Sequence, residues 1–149
     1  MAEIRRATER TTSMKTVLMA IAVIKKDDQI LIRKFDPAKN PYQEPWGLFG
    51  GRLDGDGTVA EMLNRELQER WNITVIIKEQ LTWDEDQKKD HDGEEKRFIY
   101  LDALCDLASG DPMPVNPNEE LQWVPIDKLG DYQQVPPGVR LFKKLGYYT

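Results

Sequence analysis

The sequence WGLFGGRLDGDGTVAEMLNRELQERWNIT, residues 46–74, joins an apolar segment, a glycine- and aspartate-rich loop and a charged segment. Thr58 precedes Glu61 by three residues, which is the capping-box spacing and predicts that a helix begins after Thr58. Neither Pro nor Gly occurs between Val59 and Trp71, and apolar residues recur there every three or four positions. The stretch therefore predicts a strand, a tight glycine turn and a helix over Val59–Trp71.

Two carboxylates of this helix are the first candidates for chemistry. Glu66 and Glu69 are three residues apart, so they project from the same side of a helix. Paired carboxylate oxygens suit Mg²⁺ or Mn²⁺, with water and substrate phosphates completing the coordination. The spacing alone favours a different interpretation, a solvated helix face, because Glu66 and Arg70 form an ordinary opposite-charge pair four residues apart.

The same stretch resembles the box of the Nudix hydrolases. That pattern reads G, five residues, E, seven residues, then R-E-U-x-E-E-x-G-U, where U is a bulky aliphatic residue. Gly51, Arg65-Glu66-Leu67, Glu69 and Ile73 match it. With this resemblance, a metal site becomes the preferred interpretation of Glu66 and Glu69, in place of a solvated helix face. The resemblance extends from about Met14 to Gly146.

Three positions depart from the family pattern. Gly57 stands in place of the early Glu, Arg70 replaces the second Glu of the pair, and Asn72 replaces the late Gly. A guanidinium at position 70 makes a cluster of several metal ions improbable, because like charges close together repel by roughly 3 kcal/mol at 5 Å in an effective dielectric of 20. A single ion remains compatible with the sequence.

The resemblance implies roles for five box and loop residues. Glu66 and Glu69 are the expected metal ligands and catalytic carboxylates, with Gly51 contributing its backbone carbonyl. Arg65 is expected to orient Glu66 or Glu69. Glu119 or Glu120, from outside the box, is the first candidate for a base or an additional ligand, and the alternatives are Asp84, Glu85, Asp86 and Glu94.

Substrate contacts are expected from both sides of the glycine turn. Arg33, Arg52 and Arg70 are candidates for binding phosphate, and Tyr42 for stacking on a base or ring. Each also has a simpler interpretation as a surface charge or a packing residue.

The order of predicted elements places the chain in the α/β class. We expect an α/β/α sandwich of the Nudix type with a mixed central β-sheet, formed by one domain over residues 14–149 after a flexible arm at residues 1–13. The aromatic residues Trp83 and Tyr100 are expected in the core. The charged run Asp84–Arg97 predicts a solvated hairpin tip or long loop, and Gly138–Leu145 a closing helix that ends at Gly146 and turns Val139, Phe142 and Leu145 inward.

Composition limits the classes of function. A net charge of −5 argues against binding to polymeric nucleic acid, and no apolar run is long enough to span a membrane. Cys105 is the only cysteine, which excludes an intrachain disulfide and fits a reducing, cytoplasmic setting. The family often dimerises, so a homodimer is an open possibility.

Two functions follow from these observations. The leading one is a metal-dependent pyrophosphohydrolase, with Mg²⁺ or Mn²⁺, acting on a nucleoside diphosphate linked to another moiety. The alternative is a Nudix-fold module that binds a nucleotide or metabolite with little or no turnover. Gly57 and Arg70 favour the alternative, whereas the retained Arg65, Glu66 and Glu69 favour the hydrolase.

Overall fold

The structure is a computed structural model that describes residues 14–148. The arm predicted for residues 1–13 lies outside the described residues, so it stays a prediction. The elements follow one another as β1 (Thr16–Lys26), β2 (Gln29–Lys34), β3 (Trp46–Gly47), β4 (Phe49–Arg52), α1 (Val59–Trp71), β5 (Thr74–Lys89), β6 (Glu95–Ser109), β7 (Glu120–Pro125), a 3₁₀ helix (Ile126–Asp131) and α2 (Pro136–Lys144).

The strands form one mixed sheet in the order β3-β2-β1-β6-β5. Strands β1 and β6 run parallel, whereas the other paired strands run antiparallel. Strand β4 also pairs with β1, and β7 pairs with β2. Strand β1 lies between β4 and β6, so Gly50 and Gly51 of β4 and the middle of β6 flank the same residues of β1, Ala20 and Ile21.

The two faces of the sheet are covered by different helices. Along β1, Ala20, Ala22 and Ile24 belong to the core under α1, whereas Val23 belongs to the core under α2. Successive side chains of a strand point to opposite faces, so this division separates two layers. The predicted α/β class and the mixed sheet between helices are confirmed.

Helix α1 begins and ends as its sequence predicts. The Thr58 hydroxyl accepts from the Glu61 backbone N–H, and the Glu61 carboxylate accepts from the Thr58 backbone N–H. Asn72 ends the helix in the left-handed conformation, with φ of 60°. Asn tolerates this conformation better than most side chains, which explains how it replaces the expected Gly.

The prediction of a hairpin tip or long loop over Asp84–Arg97 is wrong for most of that run. Strand β5 continues to Lys89 and β6 begins at Glu95, so only residues 90–94 form the tip. Backbone pairing sustains the strands even though many of their side chains are charged. Trp83, expected in the core, is 60% exposed beside its cross-strand neighbour Leu101.

Helix α2 differs in detail from the expected Gly138–Leu145. It starts at Pro136, because proline suits the first turn, and its most buried large side chains are Leu141 and Phe142. Val139 and Leu145, predicted to face inward, are only partly buried. Gly146 follows the last turn with φ of 76°, in the region that favours glycine.

Within the described residues, no helix is long and apolar enough to cross a membrane.

Gly110 gives a test of how β6 is held against the end of α1. Its φ is +91°, and an added Cβ would overlap the backbone carbonyl oxygen of Asn72. We expect Gly110→Ala to lower the free energy of unfolding by about 3 kcal/mol or more, measured by urea denaturation. The matched control is Gly93→Ala, which has φ of +82° but no atom within 4 Å of the added Cβ. That variant should lose only about 1 kcal/mol. Equal losses in the two variants would contradict the role of the Asn72 contact.

Candidate functional site

One cavity of about 1070 Å³ joins the glycine turn to the face of the sheet beneath α2. Its lining includes Gly51 and Glu66 from the predicted site. Strand β6 adds Phe98, Tyr100 and Asp102, which alternate along one face of the strand. The cavity therefore combines a glycine and carboxylate region with an aromatic wall.

The glycine turn lies directly against α1. A Cβ at Gly51 would lie 2.9 Å from the Cβ of Glu66, and a Cβ at Gly50 would lie 2.7 Å from the carbonyl oxygen of Ala20. Any larger residue would push β4 away from its neighbours. The two glycines thus allow the backbone to approach Glu66 at the cavity surface.

Glu66 and Glu69 do not share a cavity. The Glu66 carboxylate pairs with the Arg70 guanidinium, with 3.3 Å between Oε1 and Nη1. Glu69 instead lines a second hollow of about 510 Å³, which also contains Arg70 and Asn116. Placement at i and i+3 did not bring both carboxylates to one site, and the metal-ligand role of Glu69 stays a prediction.

Glu119 is buried, with only 3% of its side chain exposed. Its Oε2 accepts from Arg33 Nη1 at 2.5 Å, and its Oε1 accepts from Trp71 Nε1 at 3.2 Å. Arg70 Nη2 lies 3.9 Å from Oε2. Both oxygens of Glu119 already accept hydrogen bonds, so the geometry favours a positioning role for this residue. Its role as a base or ligand stays a prediction.

Arg33 is likewise engaged in the protein interior. Its Nε donates to the Leu48 carbonyl oxygen at 2.8 Å, and its guanidinium lies over the rings of Phe35 and Trp71 at 4.2 and 4.8 Å. Burial lowers the pKa of Arg33 to about 10, although the Glu119 carboxylate opposes that shift. Arg33 lines the cavity, but its Nε and Nη1 are already bonded.

Arg52 is held by the tip of the β5–β6 hairpin. Its Nη2 forms an ion pair with Asp90, which also accepts from Lys96 Nζ at 2.8 Å. Burial raises the pKa of Asp90, but the hydrogen bonds from Lys96 and Arg52 outweigh it and hold that pKa well below its usual range. The predicted phosphate contact of Arg52 therefore competes with an ion pair within the protein.

Tyr42 reaches the cavity from the loop between β2 and β3. Its hydroxyl donates to Asp86 at 2.6 Å and lies 3.2 Å from the Tyr100 hydroxyl. Burial, followed by the hydrogen bond to Asp86, raises the pKa of Tyr42 far above its usual range. The neutral ring is placed on the cavity wall, as stacking requires, and its contact with substrate stays a prediction.

The expected contact of Arg65 with a box carboxylate is wrong. Arg65 Nη2 donates to the backbone carbonyl oxygen of Asp56 at 3.1 Å. Among the described residues, no ion pair joins it to Glu66 or Glu69 within 4.0 Å. A Cβ at Gly55 would lie 3.3 Å from Arg65 Nη1, so this side chain packs under the loop that precedes α1.

The oxygen donors of the cavity fit one divalent ion that is shared with substrate phosphates. They do not fit a cluster of several ions. Residues 14–148 contain no group of three or more His, Cys, Asp or Glu side chains placed to hold a metal. Within the main cavity, the Gly51 backbone adjoins the side chain of Glu66, so the Gly51 carbonyl and the Glu66 carboxylate are neighbouring groups of the lining. Mg²⁺ needs only one or two carboxylates when water and substrate phosphates supply the remaining oxygens.

Two cavity residues, Lys88 and Asp102, were missed by sequence reasoning. Lys88 lies in the run interpreted as a hairpin tip or long loop, and Asp102 lies two residues after Tyr100, which was expected in the core. The available signal was strand alternation, which places Asp84, Asp86 and Lys88 at every second position. That pattern is weak because charge dominates the segment.

Asp102 is a buried carboxyl group, 7% exposed. Burial, reinforced by the negative charge of Asp84, raises the pKa of Asp102 to about 7, whereas Lys144 lowers it slightly. Near neutral pH this group therefore changes between a hydrogen-bond donor and an anion.

Comparisons with known proteins identify a family model, a curated relative and solved structures that this chain resembles. The family model described as NUDIX domain matches residues 14–145. A curated relative, the nucleoside triphosphatase NudI of Escherichia coli, is 29% identical over 128 residues, covering 80% of this chain and 89% of the relative. The solution structure of the E. coli ORF135 protein is similar at a TM-score of 0.66, with 21% identity and 91% of each chain covered. A MutT NUDIX hydrolase from Burkholderia pseudomallei gives a TM-score of 0.61 and 24% identity, over 91% of this chain and 99% of that one.

Glu119→Gln tests the buried ion pair with Arg33. The substitution removes the negative charge and leaves a buried guanidinium poorly compensated, so we expect a loss of about 2–4 kcal/mol in unfolding free energy. Glu120→Gln is the matched control, because Glu120 is the exposed neighbour and should change stability by less than about 0.5 kcal/mol. Chemical denaturation at pH 7 measures both. Wild-type stability of Glu119→Gln would show that the pair contributes nothing.

Asp102→Asn tests the buried carboxyl group through pH. Because the folded-state pKa is raised to about 7 from 3.8, the unfolded chain ionises first, and stability falls as pH rises through this window. Relative to the Asn variant, we expect wild type to lose about 1–3 kcal/mol of unfolding free energy between pH 4 and pH 8. Denaturation midpoints across this range measure the difference, with exposed Asp106→Asn as the control. A wild-type profile parallel to that of Asp102→Asn would contradict the raised pKa.

Proposed function

Because the chain belongs to the NUDIX domain family and is a Nudix-type hydrolase acting on phosphoric anhydride bonds, we propose that it cleaves a nucleoside diphosphate linked to another moiety. The family resemblance predicted from the box is thereby confirmed over residues 14–145. The substrate and the metal requirement are the proposed parts. As a further part of the proposal, residues 14–149 form one domain and the protein works in the cytoplasm.

One observation supports this substrate class above the others. A single cavity contains both the Gly51–Glu66 contact and the aromatic wall of Tyr42, Phe98 and Tyr100. Its volume of about 1070 Å³ is slightly above the range of ordinary ligand pockets, which run to about 1,000 Å³. A ligand with a diphosphate flanked by two groups suits a cavity of this size and mixed polarity.

We propose Mg²⁺ or Mn²⁺ as the cofactor, held by Glu66 and the Gly51 backbone carbonyl. When bound, such an ion offsets negative charge on phosphoryl oxygens. Glu69 contributes only if it turns from the second hollow, and Glu119 acts by fixing Arg33. Arg70, which pairs with Glu66 at 3.3 Å, is free to pair with a phosphate oxygen when Glu66 takes a cation.

The reaction is attack by water on a phosphorus atom of the diphosphate. The new P–O bond comes from water, the bridging P–O bond breaks, and the proton lost by water goes to solvent or to a carboxylate in the cavity. The protein's own contribution is to position the substrate and stabilise charge, with aromatic rings on one side and Arg70 on the other.

A second substrate class, the nucleoside triphosphates, is favoured by one finding. NudI, the relative at 29% identity, is named a nucleoside triphosphatase. Glu66 and Gly51 would engage the phosphates of either class, so the two differ in what lies beyond the diphosphate. The binding-module alternative is less well supported, because Glu66 retains its place on the cavity.

The test is release of phosphate, pyrophosphate or nucleotide from a panel of both classes, with Mg²⁺, Mn²⁺ or EDTA. We expect metal-dependent turnover of a nucleoside diphosphate derivative and a loss of at least about 100-fold in kcat/KM for Glu66→Gln. The exposed Glu66–Arg70 pair contributes little to stability, so Tm should stay unchanged in that variant. Glu120→Gln is the control for a nearby charge change.

Three other results would redirect the proposal. Turnover confined to triphosphates would establish the second substrate class. Turnover that survives Glu66→Gln would place the metal elsewhere. Binding of compounds in the panel without turnover of any of them would support the alternative function, a Nudix-fold module that binds without hydrolysis.

A further inference from the structure

Lys88 lies in a cage of aromatic rings on the cavity wall. Its ammonium nitrogen is 4.5 Å from the ring centre of Phe98, 4.8 Å from that of Tyr42 and 5.5 Å from that of Tyr100. Such distances are those of cation–π contacts, which keep a charged lysine in place when water is partly excluded. The cage fixes the position of the charge without neutralising it.

The hydrogen bonding of Lys88 is incomplete. A lysine ammonium carries three N–H donors, and Lys88 Nζ makes one contact, to the Tyr42 hydroxyl at 3.3 Å. Among the described residues, no carboxylate lies within 4.0 Å of it. Two of its donors therefore have no acceptor among residues 14–148, and Lys88 lines the cavity.

The two carboxylates whose charges act on Lys88 are already bonded to other groups. Asp86 accepts from Tyr42, and Asp90 pairs with Arg52 and Lys96. Burial lowers the pKa of Lys88 to about 8, opposed by Asp86 and Asp90 and assisted by Arg52 and Arg33. An anion delivered to this ammonium would reverse the cost of burying it.

The three arginines that line the cavity already have partners. Arg33 is bonded to Glu119, Arg52 to Asp90 and Arg70 to Glu66. Each must break an ion pair before it can bind an external anion, whereas Lys88 need not. Lys39 and Lys89 also line the cavity, but both are exposed to solvent. Lys88 is accordingly the half-buried cation of this cavity that is best prepared to bind an external anion.

The position of Lys88 relates it to the glycine turn. The Phe98 ring lies beside both the Lys88 ammonium, at 4.5 Å, and the Arg52 guanidinium, at 5.9 Å. Arg52 follows Gly51 in β4, and Gly51 contacts Glu66. The cage thus adjoins the part of the cavity where the proposed function places the diphosphate.

We propose that Lys88 is the anion-binding group of this cavity and takes a phosphate oxygen of the substrate on its two available N–H donors. The anion site stands on the geometry of the cage, and only its assignment to the substrate rests on the proposed function. The proposal makes two statements that can be measured: the site prefers phosphate anions, and binding loads a proton onto Lys88.

The experiment measures binding and needs no turnover. Imidodiphosphate, in which nitrogen replaces the bridging oxygen, is titrated calorimetrically at pH 8.5 into the full chain, with EDTA and separately with Mg²⁺. Two buffers of different ionisation enthalpy report the protons taken up on binding. Wild type is compared with Lys88→Gln, Lys88→Arg and the matched control Lys89→Gln, which removes the adjacent lysine of the cavity lining, an exposed side chain outside the aromatic cage.

We expect Lys88→Gln to weaken the affinity at least 10-fold and Lys89→Gln to change it less than 2-fold. Lys88→Arg should retain binding, since arginine stays charged, but should take up fewer protons than wild type. All variants at position 88 keep the groups that face Lys88, so differences in affinity and proton uptake report on position 88 alone. These groups are Asp86, Asp90, Arg33, Arg52, Tyr42 and Tyr100.

Equal affinity of wild type and Lys88→Gln would overturn the proposal. So would the absence of a difference in proton uptake between wild type and Lys88→Arg, a result that does not depend on the Gln variant folding. Imidodiphosphate binding through Lys88 in a protein that turns over no diphosphate substrate would uphold the anion site and remove the proposed function. Turnover that is unchanged in Lys88→Gln would place the substrate phosphate away from the cage and count against the assignment.

Discussion

The buried ion pair between Arg33 and Glu119 connects the parts of the protein that surround the cavity. Arg33 belongs to β2, Glu119 immediately precedes β7, and Trp71 at the end of α1 donates to the same carboxylate. Removing charged groups from water costs several kcal/mol per ion, so such a pair is favourable only when its remaining donors and acceptors are also satisfied. Here the Leu48 carbonyl oxygen and two aromatic rings complete the environment of Arg33.

That pair also explains how Arg70 is accommodated at a position where the family pattern has a carboxylate. Arg70 lies between Glu66, at 3.3 Å, and Glu119, at 3.9 Å, and Arg33 pairs with the same Glu119 oxygen, Oε2, at 2.5 Å. Two positive and two negative groups alternate, so the departure adds no net charge to this side of the cavity. Arg70 thus places a guanidinium on the cavity lining at the position where the family pattern has a carboxylate.

Local signals in the sequence predicted local structure well. The capping box identified the start of α1, and the glycine pair identified the close approach of β4, because both depend on residues near one another in the chain. Which carboxylates share a cavity depends on packing between distant elements. For that reason the sequence named Glu119 without its partner Arg33, and grouped Glu66 with Glu69 although they line different hollows.

Two predictions failed because the residue types suggested one environment and strand pairing imposed another. The charged run after Trp83 suggested solvent, yet long strand pairing with β6 keeps it in the sheet and places Lys88 on the cavity. Aromatic character suggested burial for Trp83, yet it lies on an exposed part of β5. Neither outcome is available from residue type, because strand register decides which face each side chain takes.

The parallel pairing of β1 with β6 has a consequence for how the chain acquires this structure. Thr16 and Arg97, near the start of that pairing, are 81 residues apart, and every residue of α1 and β5 lies between them. During synthesis the most apolar strand must wait, without its neighbour, until β6 has left the ribosome. A high mean separation between contacting residues predicts slow folding, and a waiting apolar strand predicts dependence on chaperones at high expression.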